Sequence, residues 1–268
     1  MLIRGWHTPI RIRLIPLKHH LVRFLPAALR QQLRRWYHPR VVARFTADRW
    51  PPADAVRRLV KPGAVVVDAG ANVGYVTALL ASWVGPAGRV HSFEPVPQTA
   101  ELLERAVRRL GLVQVILHRC GVSDHHGEAR MVIPRYGDGG ENLYESRVLA
   151  AGESGADGVE VTIPLRRMDD ELSADAPRIA FMKIDVEGHE QAALAGAERV
   201  LAESRPVLLV EIMGDLDAAG TPANRVVNWL AERGYRPFFW EGAWRERRHG
   251  ESAVDYFFLM PHHTERSP

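Results

Sequence analysis

A chain of 268 residues, 46% hydrophobic and 25% charged, has material for one large globular domain plus an appendage, which excludes wholesale disorder, a collagen-like chain and a coiled coil. The single cysteine, Cys120, excludes a disulfide framework and a cysteine zinc site, and points to a reducing, cytoplasmic setting. The net charge of +3 conceals an asymmetry: residues 1–47 hold ten Lys or Arg and no acid, while the remainder holds 25 basic and 32 acidic residues.

In chain order the basic arm comes first. No stretch reaches the ~18 apolar residues of a membrane span. Lys18, His19, His20 and Arg23 interrupt what would otherwise be the apolar core of a signal peptide. Residues 1–50 are therefore read as a basic helical arm and residues 51–268 as the domain. Pro26 starts a helix in which Leu29, Leu33 and Trp36 form one stripe while Arg30, Arg34 and Arg35 point elsewhere. That stripe either packs on the body or on a second subunit in a homo-oligomer, or it lies at the inner face of an anionic membrane. Nucleic acid is a third, less favoured partner for ten positive charges.

From residue 61 onward, β-rich runs alternate with helical patterns, the signature of an α/β fold with a mostly parallel sheet. Strands are predicted at 65–68, 89–94, 113–117, 179–185 and 206–212. Helices fall near 75–83, over 101–110, through Ala193, Leu194, Ala197, Val200 and Leu201, and over 224–233. Two aromatic strands, 236–240 and 254–260, close the chain. Residues 128–133 suit an extra strand. The glycine-rich stretch 135–158, with Tyr136, Asn142 and Tyr144, is either a lid over an acceptor or a disordered insertion.

The first strand ends in Asp68-Ala69-Gly70-Ala71-Asn72-Val73-Gly74. Glycines there permit a tight turn and close approach of a ligand to the backbone. The spacing is not that of a dinucleotide-binding turn, and an acid two residues before the first glycine repels a pyrophosphate. It suits a cofactor bearing an ammonium and a sulfonium, S-adenosylmethionine. Glu94, ending the second strand, is placed to accept hydrogen bonds from two ribose hydroxyls. The alternatives are a helix-capping Asp68 and a solvated Glu94. Ser123 and Asp124, at the same sheet edge, either reach the adenine or form a simple turn.

A second constellation, Lys183-Ile184-Asp185-Val186-Glu187-Gly188-His189, falls at the carboxyl end of the fourth strand, where chemistry concentrates in open α/β sheets. Asp185, Glu187 and His189 form the group expected to contain a catalytic base, with Asp185 also beside the cofactor; His189 alternatively faces solvent from a first helical turn. Asp185, Glu187 and Glu211 are read as a hydrogen-bonded network, with Mg²⁺ ligation as the alternative.

Val66 through Gly74, Phe93-Glu94-Pro95, Lys183 through Gly188 and Val210-Glu211 together resemble the FkbM-type methyltransferases, in order, over about residues 60–260. The resemblance implies a class I methyltransferase fold, Rossmann-like, with seven strands, the last antiparallel. It implies transfer of a methyl group from S-adenosylmethionine to a hydroxyl of a sugar, glycolipid or natural product, leaving S-adenosylhomocysteine. Asp68, Gly70, Asn72, Gly74 and Glu94 take the cofactor role by that resemblance, and Asp185 and Glu187 a place in the active-site crevice. An RNA ribose methyltransferase and a non-catalytic binding protein on a retained fold are the alternatives.

Overall fold

The computed structural model describes residues 27–135, 142, 146–149, 153–155, 158–172 and 178–264. Helix α1 (Ala27–Val42) leads through a short turn to α2 (Ala53–Leu59). Val42, Phe45 and Trp50 are buried in the same apolar cluster as Val56 and Leu80, so the described part of the arm packs against the domain. Among the described residues no helix is long and apolar enough to cross a membrane.

The domain is built on a twisted mixed sheet. Strand β1 (Val65–Ala69) is buried throughout, because helices cover both of its faces and leave Val65, Val66 and Val67 no water to meet. Helix α3 (Tyr75–Val84) follows, then β2 (Arg89–Phe93), α4 (Pro97–Leu110) and β3 (Val115–His118). Helix α4 begins at Pro97, earlier than the apolar pattern indicates, since proline at a first helical position costs no hydrogen bond. Short β4 (Gly121–Val122), β5 (Gly127–Pro134), β6 (Arg147–Val148) and β7 (Gly158–Arg166) form a separate four-stranded sheet in the order β4-β7-β5-β6.

The chain then returns through α5 (Met168–Glu171), β8 (Ile179–Ile184), α6 (Glu190–Ala195), α7 (Glu198–Ser204), β9 (Val207–Glu211) and α8 (Pro222–Glu232). It finishes with β10 (Arg236–Trp240), β11 (Trp244–Glu246), β12 (Asp255–Leu259) and α9 (Pro261–Thr264). The main sheet runs β11-β10-β12-β9-β8-β1-β2-β3. Strand β12 inserts antiparallel between β9 and β10, the arrangement expected of a last strand.

Three details correct the sequence reading. The main sheet has eight strands rather than seven, because Trp244–Glu246 folds back on β10 as a hairpin edge. Strand β7 was not foreseen, although Val159, Val161, Ile163 and Leu165 alternate with polar residues along it. The helix carrying Ala193 to Leu201 is two helices broken at Gly196. A Cβ at Gly196 would sit 1.9 Å from the Ser123 carbonyl oxygen, so the break lets α6 press against the backbone after β4. Tyr136 and Tyr144 lie outside the described residues; Asn142 is buried and donates its backbone N–H to the Pro134 carbonyl.

One buried cation ties the centre of the sheet together. Lys183, on β8 and nearly sealed from solvent, donates to Asp185 Oδ2 at 2.8 Å and stands 3.8 Å from Asp68 Oδ1 on β1. Burial opposes the ammonium, yet Asp185 and Asp68 outweigh it and hold the Lys183 pKa above its ordinary value. Asp68 is fully buried, and its Oδ2 accepts a hydrogen bond from the Thr77 hydroxyl at 2.6 Å. Removing one partner of such a network strands a buried charge. Lys183→Met is therefore expected to lower stability by about 3–5 kcal/mol in urea unfolding; a loss below ~1 kcal/mol would show that the network is not structural.

Candidate active site

The crevice opens where β1 and β2 end and the chain turns away from β8. Gly70 takes φ +76°, and a Cβ there would lie 1.7 Å from the Asp185 carbonyl oxygen. The turn after β1 and the segment after β8 therefore touch backbone to backbone, and only glycine fits between them. Asn72 also occupies the left-handed region, φ +50°, which asparagine tolerates because its side chain closes a local hydrogen bond, here with the Val73 N–H at 2.8 Å.

Glu94 locks this turn from the neighbouring strand. Its Oε2 accepts from the Asn72 N–H and its Oε1 from the Val96 N–H, both at 2.9 Å. Each carboxylate oxygen keeps a further lone pair. Burial pushes the Glu94 pKa up to about 7 against these two hydrogen bonds, with Asp68 adding to the rise.

A single cavity joins this turn to the second constellation. It is lined by Gly70, Asn72, Phe93, Glu94, Pro95 and Val96 on one side, by Asp185, Val186, Glu187 and His189 on another, and by Cys120, Gly121 and Val122 at the adjoining edge. Met131, Val148, Ile163 and Leu165 of the smaller sheet, with Ser146 just before β6, roof it. Among the described residues, three carboxylates and no Lys or Arg line it. Such a cavity favours a cationic ligand and repels a polyanion.

Asp185 has one oxygen held by Lys183 and is partly open to the cavity. Glu187 is exposed and left-handed, φ +53°, with Gly188 at φ +93° completing the turn into α6. His189 Nε2 lies 3.0 Å from Ser123 Oγ, and burial lowers its pKa, so the imidazole is neutral at pH 7. Behind them Glu211 and Asp255 face each other across β9 and β12. Burial and the charges of Asp185 and Asp255 push Glu211 up to about 8; burial and Asp185 push Asp255 up to about 6. Among the described residues no group of three or more His, Cys, Asp or Glu is arranged to hold a metal ion.

The structure thus brings Gly70, Asn72, Glu94, Asp185, Glu187 and His189 to one cavity. It places Asp68, Gly74, Ser123 and Asp124 outside the lining. Asp68 stands beside the Lys183 ammonium. Gly74, φ +95°, is a packing glycine: a Cβ there would lie 2.4 Å from Leu103 Cδ1. Ser123 is fully buried beneath His189, and Asp124 is exposed and bonded to His125 at 2.6 Å. Sequence reasoning missed the apolar roof and Ser146, a buried hydroxyl that faces the cavity and has no partner among the described residues. A lysine inside an otherwise apolar strand was the available signal for the buried cation.

These residues fit S-adenosylmethionine. Glu94 offers two open lone pairs for a ribose diol, Phe93, Val122, Ile163 and Leu165 offer an apolar slot for a purine, and the carboxylates offset a cationic centre. Ser146 supplies a further hydrogen-bonding group in the same slot.

The family model for the methyltransferase FkbM domain matches residues 68–237. Among solved structures, the methyltransferase FkbM of Methylobacillus flagellatus KT is similar, with 18% identity and a TM-score of 0.47 over 91% of this chain and 58% of that one. A SAM-dependent O-methyltransferase of Thermotoga maritima is similar at 15% identity and a TM-score of 0.40, over 77% of this chain and 63% of that one. A protein-L-isoaspartate O-methyltransferase of Aeropyrum pernix is 41% identical over 56 residues, 21% of this chain and 22% of its own length. The chain thus spans 22% of that curated relative and 58% of the Methylobacillus protein.

The raised Glu94 pKa sets a pH dependence. A carboxylate accepts from a ribose diol better than a carboxylic acid does. Affinity for S-adenosylhomocysteine, followed by calorimetry, is therefore expected to rise as pH climbs through about 7 and then level off. In Glu94→Gln the rise is expected to disappear; an unchanged pH profile would detach Glu94 from the ligand.

Proposed function

The chain belongs to the FkbM methyltransferase family, and from that we propose that it transfers the methyl group of S-adenosylmethionine to a hydroxyl of a sugar, glycolipid or natural product. The observation that carries this reading is the joining of the Gly70 turn and Glu94 to Asp185 and His189 in one cavity that no described lysine or arginine lines. A neutral hydroxyl acceptor suits such a cavity, and the phosphates of an RNA do not.

When bound, S-adenosylmethionine supplies an electrophilic methyl group on a sulfonium. The chain's residues then do two things. Glu94 and the backbone of the Gly70 turn fix one end of the ligand, so the acceptor oxygen can be aligned for in-line attack. Asp185, Glu187 and His189 form the group that receives the hydroxyl proton. Within it Asp185 is favoured. Lys183 anchors one oxygen and leaves the other for the acceptor. Burial and the neighbouring acids push the Glu211 pKa up to about 8, so at neutral pH it holds its proton and adds no charge behind this group. The hydroxyl proton passes to Asp185 as the oxygen–methyl bond forms, since an alcohol is far too weak an acid to ionise beforehand.

The test is incubation of the full chain with methyl-labelled S-adenosylmethionine and a panel of hexopyranosides, a glycolipid, a phenol and total RNA. A base-stable labelled ether on a panel member is expected. Label confined to RNA, or released by mild base as from an ester, would overturn the reading. On the accepted substrate, Asp185→Asn is expected to lower kcat by about 10²–10⁴-fold while changing S-adenosylhomocysteine affinity less than Glu94→Ala does. Normal turnover in Asp185→Asn would remove it from the chemistry.

A further inference from the structure

Helix α1 turns its apolar stripe outward. Its inner face is formed by Arg35, which donates to Glu101 of α4 at 2.8 Å, by His38, whose ring lies 5.8 Å from Tyr75, and by the buried Pro39 and Val42. The other face presents Leu29, Leu33, Trp36 and Tyr37, exposed by 41%, 40%, 60% and 42%. Arg40 lies on that face too, its guanidinium 3.8 Å from the Trp36 ring centre. The expectation that the stripe packs on the body is thus corrected. Its register on the helix is opposite to the side that meets α4.

A run of four large apolar side chains on one exposed helix face marks an interaction surface. Charge selects its partner. Residues 1–47 contain ten Lys or Arg and no acid. A second copy would bring the same positive arm against this one. Residues 1–26, which lead directly into α1, add five Lys or Arg and no acid, so they share the sign of the surface. A nucleic acid would complement the charge and leave the apolar side chains unburied. A bilayer with anionic headgroups complements both features: negative charge at its surface and an apolar phase just beneath. Tryptophan and tyrosine favour that boundary, and long arginine side chains reach back from it to the headgroups.

We infer that the exposed face of α1 docks this protein on an anionic membrane surface, with Leu29, Leu33, Trp36 and Tyr37 entering the headgroup boundary. The docking is independent of methyl transfer.

The test is co-sedimentation of the full chain with vesicles of phosphatidylcholine alone and of phosphatidylcholine with about one-third phosphatidylglycerol. Binding is expected to the anionic vesicles only, weakening as salt rises from about 0.1 M to about 1 M, where the Debye length falls from ~10 Å to ~3 Å. The double substitution Leu33→Glu, Trp36→Glu is expected to reduce binding by at least about tenfold. Both residues are exposed, so its thermal transition by circular dichroism should match the wild type. Equal binding to both vesicle types, equal binding by the folded variant, or no binding to anionic vesicles would each overturn the inference. A chain that ignores vesicles and forms a dimer sensitive to the same substitutions would assign the face to a second copy instead.

Discussion

The crevice depends on a buried positive charge. Lys183 sits inside the sheet, where an ammonium is tolerated only if carboxylates surround it. Asp68 from β1 and Asp185 from the end of β8 supply them. That requirement draws the ends of two neighbouring strands together and leaves room for nothing larger than a hydrogen at Gly70. The same pairing consumes one oxygen of Asp185 and turns the residue toward the cavity. Geometry at the site is thus a by-product of satisfying a charge in the core.

Glu94 works in a related way on the next strand. Both of its oxygens hold backbone N–H groups, one in the glycine turn and one at the start of the segment leading to α4. The glycine turn is therefore held from two sides, by Glu94 and by the chain after β8. Across the cavity the smaller sheet contributes apolar side chains, and the residue before β6 the Ser146 hydroxyl. A negatively lined polar end and an apolar roof describe a ligand with a cationic centre, hydroxyls and a flat apolar group.

Much of this was legible from the residues. The five parallel strands show as β-branched runs, and Gly70, Glu94 and Asp185 all stand at strand ends, where open α/β sheets gather ligands. Other features were not legible. Asp68 reads as a ligand-facing acid, because nothing local reveals that Lys183, more than a hundred residues on, neutralises it. Gly74 reads as part of a binding turn, and its place at the left-handed start of α3, against Leu103, shows only in three dimensions. The alternation in β7 was readable, yet the irregular stretch before it hid the strand. The outward register of Leu29, Leu33 and Trp36 follows from which face meets α4, a tertiary fact that periodicity alone does not carry.

The central claim is that one cavity holds S-adenosylmethionine through the Gly70 turn and Glu94. Calorimetric titration of the folded full chain with S-adenosylhomocysteine tests it most directly. Saturable binding at about one site per chain, abolished or sharply weakened in Glu94→Ala, is the predicted result. A folded chain that takes up no S-adenosylhomocysteine, or a Glu94→Ala variant that binds it as tightly as the wild type, would contradict the account.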